Sequence, residues 1–246
     1  MTFIINPYVF AAAAPSISTP SDLASVWEWW EPSRNGFSDN DAIGTMPGQV
    51  SPGSGHNWTQ SSASLKPTYK ANIVNGLGVA RFDGSDDTLA NVNWTALTSV
   101  HFFAVLKIDN DPPATNKNGI WSIGGNNTAL YPSGSTDIAE VAFRASGLRT
   151  FSKSGMSLAT WRVVEVVSNS SEWIYRLDGT QLDSTTGANF GHQSSTFIML
   201  GRSNAFDPEF LDGDFAGMYV FNAKLSSGDR TAMINYLNSR FGLSTS

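Results

Sequence analysis

Residues 79–89 read Val-Ala-Arg-Phe-Asp-Gly-Ser-Asp-Asp-Thr-Leu, an extended segment, an acidic turn and a second extended segment. Asp83-Gly84 supplies the reversal, because glycine adopts positive φ at little cost and aspartate side chains hydrogen-bond their own backbone in tight bends. The pattern predicts a β-hairpin whose return strand begins at Thr88-Leu89. We therefore expect a β-rich fold built around this stretch.

The same pattern of aspartate followed by glycine occurs twice more, in Tyr175–Thr180 and in Leu211–Phe215. The second of these leads into the apolar segment Phe215–Asn222. Val100–Ile108 alternates apolar residues and predicts a strand with one face in a core. Other short strand-like runs follow, separated by clusters of glycine, proline and asparagine. Many short strands with regularly spaced turns predict an all-β sandwich or barrel.

These stretches, in this order, resemble the concanavalin A-like, laminin-G-type jelly-roll family. That family has an early "RFDG-DD-L" segment, matched by Arg81–Leu89, then a "Y-DG" hairpin, matched by Tyr175–Gly179. An ending of the type "LGR…G…YN-LS" then precedes a terminal helix. The resemblance covers residues 21–246 and implies a jelly-roll β-sandwich that closes with one short helix.

A C-terminal helix over residues 226–241 also follows from local signals. Ser226 and Asp229 have the spacing of a capping box, and Gly242 is placed as a C-terminal cap. Between these caps, apolar side chains recur at helical spacing and predict one buried face. These side chains are Met233, Ile234, Leu237 and Phe241.

Two predictions concern the first third of the chain. The alternation in Trp27-Glu28-Trp29 places the two tryptophans on one face of a strand. Residues 31–68 are rich in glycine, serine, asparagine and proline, and this composition predicts long loops.

Composition and charge exclude several classes of function. With 41% hydrophobic and 15% charged residues, the chain of 246 residues is apolar enough for one large domain. A net charge of −6 without clustered lysine and arginine argues against nucleic-acid binding. The absence of cysteine excludes disulfides and thiolate sites. No run approaches the ~20 apolar residues of a membrane helix, so we expect no membrane insertion.

Residues 1–20 have the character of an extended arm and linker preceding the domain. No lysine or arginine precedes the apolar run and Asn6-Pro7 interrupts it, so we expect no signal peptide. An apolar arm of this kind suits strand addition to a partner's sheet edge. We expect it to attach the chain to copies of itself or to another protein. The residues assigned to this assembly arm are Phe3, Ile4, Ile5, Tyr8, Val9 and Phe10.

No catalytic site is predicted. Glucanases of this superfold place Glu-x-Asp-x-Glu on one strand, so that all three side chains share a face. The nearest match runs from Ser135 to Glu140; serine occupies the first acidic position, and Asp137 and Glu140 fall on opposite faces. Glu165 stands alone in its strand, and the histidines lie in no recognisable nucleophile motif. We therefore expect a protein without enzymatic activity.

Two kinds of ligand site remain open at this stage. Acidic turns offer the oxygen ligands that Ca²⁺ prefers, although aspartate before glycine also serves turn formation by itself. Loop aromatics beside asparagines could stack on and hydrogen-bond a sugar, although most aromatics of a sandwich lie in its core. The candidate calcium ligands are Asp83, Asp86, Asp87, Asp212 and Asp214; the candidate carbohydrate contacts are Trp58, Asn57, Trp94, Tyr131, Asn126 and Asn127.

Two function classes fit these observations. The first is a structural and adhesive virion component, such as a bacteriophage decoration, fibre or tail protein. Such a protein is made in the host cytoplasm, displays a lectin-like domain outward and contacts other virion proteins and host glycans. The second is a secreted bacterial glycan-binding module. The neighbours of residues 1–20 would distinguish the two classes.

Overall fold

The structure is a computed structural model. For residues 123, 129–133, 137–140 and 149–151 it describes the backbone alone, without the side chains. The described residues are 16–50, 56–91, 97–109, 119–123, 129–133, 137–140, 149–152, 156–186, 198–202 and 210–245. The assembly arm therefore lies outside the described residues, except for part of its linker.

The described residues contain sixteen strands, three short 3-10 helices and one α-helix. The 3-10 helices are Pro20–Asp22, Pro32–Arg34 and Ala63–Leu65. The strands are β1 (Val26–Trp30), β2 (Thr45–Met46), β3 (Trp58–Thr59), β4 (Thr68–Val74), β5 (Leu77–Asp83), β6 (Leu89–Asn91), β7 (Val100–Ile108), β8 (Trp121–Ile123), β9 (Ala129–Ser133), β10 (Asp137–Glu140), β11 (Arg149–Ser152), β12 (Arg162–Ser168), β13 (Glu172–Leu177), β14 (Thr180–Thr186), β15 (Ile198–Leu200) and β16 (Asp212–Phe221); the helix is α1 (Ser227–Phe241).

The strands form two antiparallel sheets of eight strands each. Sheet A has the order β14-β13-β12-β7-β16-β5-β4, and β1 pairs with the second half of β16 beyond the end of β5. Sheet B has the order β11-β10-β9-β8-β15-β6-β3-β2. Seven of the fourteen strand pairs join strands that are not consecutive in sequence, and the chain crosses repeatedly between the sheets. The predicted all-β sandwich with one C-terminal helix is confirmed.

Of the three acidic-glycine segments, one is a hairpin turn. Asp178 and Gly179 have φ values of 48° and 80° and join β13 to β14, with Leu177 opposite Thr180. Two consecutive residues with positive φ match the right-handed twist of paired strands. Asn75-Gly76, with φ values of 48° and 74°, joins β4 to β5 in the same way.

The other two segments have different roles from those predicted. The turn after Asp83 does not fold β5 back on itself, because β5 lies in sheet A and β6 in sheet B. It carries the chain across the end of the sandwich instead. Leu211–Phe215 is not a turn at all, since β16 begins at Asp212 and runs straight through it. The local sequence resembles that of a turn, but pairing with β5 and β7 extends it.

Strand β7 lies at the centre of sheet A and confirms the predicted alternation. Val100, Phe102, Ala104, Leu106 and Ile108 face the core between the sheets. The opposite face of the same strand belongs to a second apolar cluster, in which α1 packs on the outside of sheet A. The molecule therefore has three layers: helix, sheet A and sheet B.

The tryptophans of β1 do not share a face, contrary to the prediction. The register of β1 against β16 shifts between Val26 and Glu28, which marks a β-bulge. A bulge inserts one residue and reverses the alternation that follows. Trp27 consequently packs against the core between the sheets, whereas Trp29 joins the cluster beneath α1.

Helix α1 begins and ends where the sequence predicts. The Ser226 hydroxyl oxygen accepts a hydrogen bond from the Asp229 N–H at 3.1 Å, and Gly242 adopts φ 67° as the left-handed cap. The apolar face predicted from spacing is buried, including Met233, Leu237 and Phe241. Among the described residues, no helix combines the length and apolarity needed to cross a bilayer.

Candidate functional site: a polar groove on sheet B and a carboxylate turn beside it

An open groove crosses the outer face of sheet B. Thr45, Thr59, Ala90 and Met199 pair in register on β2, β3, β6 and β15 and form one row across four strands. Neighbouring strands lie ~4.8 Å apart, so the row spans about 14 Å. With the flanking residues it lines a groove of about 590 Å³. Its floor is made of regular strands, which hold the side chains in a fixed spacing.

The groove has a polar rim with a single charge. Gln60 donates from Nε2 to the Thr88 hydroxyl at 2.8 Å and accepts from the Ser62 N–H at 3.0 Å, so its side chain is fully used in shaping the rim. Lys66 supplies the only charge among the described lining residues. The surface offers hydroxyls, small apolar patches and one ammonium.

The acidic turn lies directly beside this groove, because Thr88 follows Asp87 and lines it. Asp83, Asp86 and Asp87 each place one carboxylate oxygen within 4.8 Å of the others. The Asp83 Oδ1 accepts hydrogen bonds from the Ser85 and Asp86 N–H groups, and the Asp87 Oδ2 accepts from the Asp83 N–H at 3.1 Å. Burial, together with the charge of Asp83, raises the pKa of Asp87 to about 6. Three carboxylates are thus held together at an energetic cost near neutral pH.

This group fits a hard divalent cation. Ca²⁺ prefers carboxylate oxygens, and a cation placed among Asp83, Asp86 and Asp87 would offset both the burial and the neighbouring charge that raise the pKa of Asp87. The turn hydrogen bonds leave at least one oxygen of each carboxylate for a ligand bond. These three residues are the part of the predicted calcium set that the structure brings together.

The remaining two predicted calcium ligands do not belong to that group. Asp214 is fully buried in β16, where Arg81 donates to it from Nε at 2.7 Å and from Nη2 at 2.9 Å. The register pairs these two residues directly, so a structural ion pair replaces the predicted ligand. Asp212 pairs with Asp83, and its Cβ would lie 2.8 Å from a Cβ built on Gly84.

The structure describes the side chains of only two of the predicted carbohydrate contacts, Trp58 and Asn57. Trp58 has no exposed surface; it lies in β3, and its ring packs 5.5 Å from that of Trp30. It therefore offers no face for a sugar, contrary to the prediction. Asn57 is half-buried, and its Oδ1 accepts from the Gly48 N–H at 3.4 Å. Tyr131 lies in β9, described by its backbone, and Trp94, Asn126 and Asn127 lie outside the described residues.

Sheet A carries a buried carboxylate cluster centred on Glu165. His101 Nε2 lies 2.9 Å from Glu165 Oε1, and Arg176 Nη1 donates to the same oxygen at 2.6 Å. Arg230, from the first turn of α1, donates to both carboxylate oxygens at 2.8 Å. The Leu225 N–H donates to His101 Nδ1, which fixes the proton of the neutral imidazole on Nε2. Glu165 therefore connects its own strand, β12, to β7, β13 and α1.

Opposing effects set the protonation of this cluster. Burial favours the neutral form of Glu165, but hydrogen bonds from His101 and Arg230 outweigh it and lower its pKa to about 2. Burial lowers the pKa of His101. The carboxylate is thus charged and the imidazole neutral near pH 7. Every oxygen of Glu165 is engaged, so this buried carboxylate serves the structure.

A second buried carboxylate, Glu31, holds the other end of α1. The hydroxyls of Tyr219 and Tyr236 donate to its Oε1 at 2.8 and 2.7 Å. Arg240 donates to its Oε2 at 3.0 Å from Nε and 2.8 Å from Nη2, and Arg34 donates at 3.0 Å. Burial, and then the charge of Glu31, raise the pKa of Tyr219. The helix is therefore held at its start by Glu165 of β12 and near its end by Glu31, which follows β1.

A third buried carboxylate, Glu28, stabilises the loop after β2. It accepts from the Val50 N–H at 2.7 Å and from its neighbour Trp29 at 3.0 Å, while His56 Nδ1 lies 3.4 Å away. A Cβ on Gly48 would come within 2.5 Å of this carboxylate, so glycine is required there.

Sequence reasoning missed these clusters and the groove. A charged residue inside an apolar strand, as in Val-Val-Glu165-Val-Val, is the signal that could have identified Glu165, because buried charges need partners. Its partners His101 and Arg230 are 64 and 65 residues away, beyond any local motif. The groove follows from strand register, which the sequence does not specify.

The chain is similar in structure to several carbohydrate-related and toxin domains. No protein-family model matches the sequence, and no curated protein matches it. Domain 4 of an extracellular arabinanase from Geobacillus stearothermophilus, in complex with arabinotriose, matches with a TM-score of 0.53 and 11% identity over 72% of this chain and 82% of that one. A botulinum neurotoxin serotype D/C binding domain gives 0.60 and 14% over 89% and 53%, and Trypanosoma rangeli sialidase in complex with sialic acid gives 0.56 and 12% over 92% and 34%.

At these identities the similarity concerns the fold. The chain spans about half of the toxin binding domain and about a third of the sialidase. The two antiparallel sheets, their packing and the terminal helix agree with the resemblance found in the sequence. The chain has the concanavalin A-like β-sandwich fold.

Proposed function

We propose that this chain is a non-enzymatic carbohydrate-binding domain. The observation that carries the proposal is the open, polar groove across sheet B, built on regular strands and lined by hydroxyls, small apolar side chains and one ammonium. Sugar recognition needs hydrogen-bonding groups at fixed positions beside modest apolar surface. Domain 4 of the arabinanase, 82% of which is covered by the match, is in complex with arabinotriose, which supports the same use of this sandwich.

The state of the buried carboxylates supports a role without catalysis. Glycoside hydrolysis needs two carboxyl groups exposed to one glycosidic bond. Glu31 and Glu165 have no exposed surface and are saturated by arginine, tyrosine and histidine donors. The carboxylates of Asp83, Asp86 and Asp87, of which Asp87 is buried, cluster in one turn, an arrangement suited to a cation.

The setting of this activity is a finer proposal that rests on the sequence of residues 1–20. We propose display on a virus particle, with the apolar residues Phe3–Phe10 attaching the chain to copies of itself or to another virion protein. Deleting residues 1–14 is expected to leave the domain folded and to abolish incorporation into the particle. Normal incorporation of the truncated chain would contradict the arm's role. A secreted bacterial glycan-binding module is the alternative, favoured if residues 1–20 contact no partner.

The carbohydrate proposal is tested by binding the full chain to a panel of plant, bacterial and animal polysaccharides. The panel is run once with about 2 mM Ca²⁺, roughly the concentration at which extracellular calcium modules bind, and once with a chelator. We expect saturable binding to at least one polysaccharide. Loss of binding in the chelator would assign a role to the Asp83, Asp86 and Asp87 turn. Absence of binding in both conditions would reject the proposal.

A further inference from the structure

We propose that the groove on sheet B takes an acidic oligosaccharide, one that carries a carboxylate, and that Lys66 is the residue that recognises this group. The inference rests on the proposed carbohydrate binding and specifies its ligand class. It follows from three features of the groove: its charge, the placement of Lys66 and the free hydroxyls around it.

The described lining of the groove carries one positive charge, although the three carboxylates of the acidic turn lie beside it. The protein has a net charge of −6, yet the described lining residues include no carboxylate and one ammonium. In the described residues Lys66 forms no hydrogen bond or ion pair. Lys66 is half-buried, and an ammonium partly removed from water attracts an anion more strongly than a fully solvated one, because less water screens it.

The backbone at Gly44 lets the Lys66 side chain lie close across the groove. A Cβ built on Gly44 would lie 3.1 Å from Lys66 Nζ and 3.2 Å from Cε. Because glycine has no Cβ, the end of the Lys66 side chain lies close to the backbone at Gly44, just before β2. Lys66 and the row formed by Thr45 and Thr59 line the same groove.

The hydroxyls near Lys66 suit a sugar rather than an isolated anion. Thr45 and Ser61 are exposed, and their hydroxyls have no partner among the described residues. Thr59 donates its hydroxyl proton to the Ala90 carbonyl at 3.3 Å and retains acceptor capacity. Ala90 and Met199 add a small apolar floor. A carboxylate on Lys66 with ring hydroxyls on the threonine row satisfies all these groups at once.

The test measures binding of oligogalacturonate, oligomannuronate, hyaluronan fragments and sialyllactose to the full chain by titration calorimetry. Each acidic saccharide is paired with its carboxyl-reduced, neutral form. We expect the acidic form to bind about 5-fold more tightly than its neutral form at low salt, the order of an exposed ion pair, and the difference to shrink in high salt.

Two lysine variants locate the effect. Lys66→Gln is expected to remove the preference, so that the acidic and neutral forms bind with equal affinity, without a change in urea unfolding. Lys70→Gln is the matched control, because Lys70 lies on β4 of sheet A, contacts the neutral Asn40 and carries the same charge. Lys70→Gln is expected to keep the preference.

The outcomes separate the two proposals. Equal binding of acidic and neutral forms, or a preference that persists in Lys66→Gln, overturns the assignment of Lys66 and leaves the carbohydrate proposal standing. Failure of every saccharide in both forms overturns both.

Discussion

The two outer faces of the sandwich are built on different principles. Over β5, β7, β12 and β16, the outer face of sheet A is covered by α1 and held to it through Glu165 and Glu31, two carboxylates without exposed surface. Across the described strands β2, β3, β6 and β15, the outer face of sheet B is open and lined by threonine, alanine and methionine. One face contributes stability through buried charge, and the other keeps surface available. The difference teaches that Glu165 and Glu31 attach the helix to sheet A, whereas the threonine, alanine and methionine row leaves the outer face of sheet B accessible.

The largest expected effect comes from removing the Glu165 charge. Glu165→Gln leaves Arg230 and Arg176 without a carboxylate in a buried site, and breaking such a cluster costs about 3–5 kcal/mol. Both arginine side chains retain some exposure, 24% and 17%, so we expect a loss near the lower limit. Urea unfolding followed by tryptophan fluorescence measures it.

Glu172→Gln is the matched control on the neighbouring strand. Glu172 pairs with Lys224 at the surface, where both side chains are partly exposed, so we expect a change of about 0–1 kcal/mol. Equal effects of the two substitutions would show that α1 is not held through Glu165.

A smaller loss is expected at the other end of the helix. Tyr219→Phe removes a hydroxyl that donates to Glu31 at 2.8 Å inside the cluster, and a hydrogen bond to a charged group contributes about 1.5–3 kcal/mol. Tyr69→Phe is the control, because the Tyr69 hydroxyl has no hydrogen-bond partner among the described residues, and we expect less than about 0.5 kcal/mol there. If the control loses as much as Tyr219→Phe, general packing rather than Glu31 explains the effect.

The carboxylates of the two regions respond to pH in opposite directions. Because the pKa of Glu165 is lowered to about 2, its contribution is present above the unfolded value of about 4.3 and is lost as pH falls toward 2. Because the pKa of Asp87 is raised to about 6, its contribution is present below about pH 4 and is lost as pH rises through 6.

Asp87→Asn therefore sharpens the comparison. Between pH 4 and 6 the wild-type protein is expected to lose about 1–3 kcal/mol from Asp87, and the variant is expected to lose none of this part. Urea unfolding at half-unit pH intervals measures both curves. Saturating Ca²⁺ should restore stability to the wild type above pH 6 and much less to the variant. Parallel curves for the two proteins would contradict the strain assigned to this turn.

The smallest effect is expected within the groove. Thr45→Ala removes an exposed hydroxyl that has no partner among the described residues, so stability should change by less than about 0.5 kcal/mol. Thermal unfolding gives the value. A loss of stability above about 1 kcal/mol would mean that the row of side chains in the groove contributes to the stability of the fold.

The sequence predicts what depends on local pattern. The alternation of β7, the caps Ser226 and Gly242 of α1 and the Asp178-Gly179 hairpin are confirmed, since each follows from contacts within a few residues. Trp27 and Trp29 separate because of a bulge whose extra residue leaves no mark in the sequence. Trp58 was expected in a loop, yet its two-residue strand is too short for periodicity to reveal.

The candidate site was less predictable for a related reason. Asp83, Asp86 and Asp87 are close in sequence, and the structure brings them together as expected. Asp214 looked similar in sequence, but its register opposite Arg81, a residue 133 positions away, makes it a structural ion pair. The groove on sheet B combines β2, β3, β6 and β15, which only the strand order brings together.

The most direct test of carbohydrate binding at the groove compares Ala90→Trp with wild type. The new indole would fill the middle of the row, and Ser184→Trp on the edge strand β14 adds the same side chain to sheet A as a control. Titration calorimetry uses the saccharide that wild type binds most tightly, after urea unfolding has shown all three proteins to be folded. We predict binding by wild type and Ser184→Trp and at least a tenfold loss, ~1.4 kcal/mol, in Ala90→Trp. Undiminished binding by Ala90→Trp would contradict the assignment of the groove as the site.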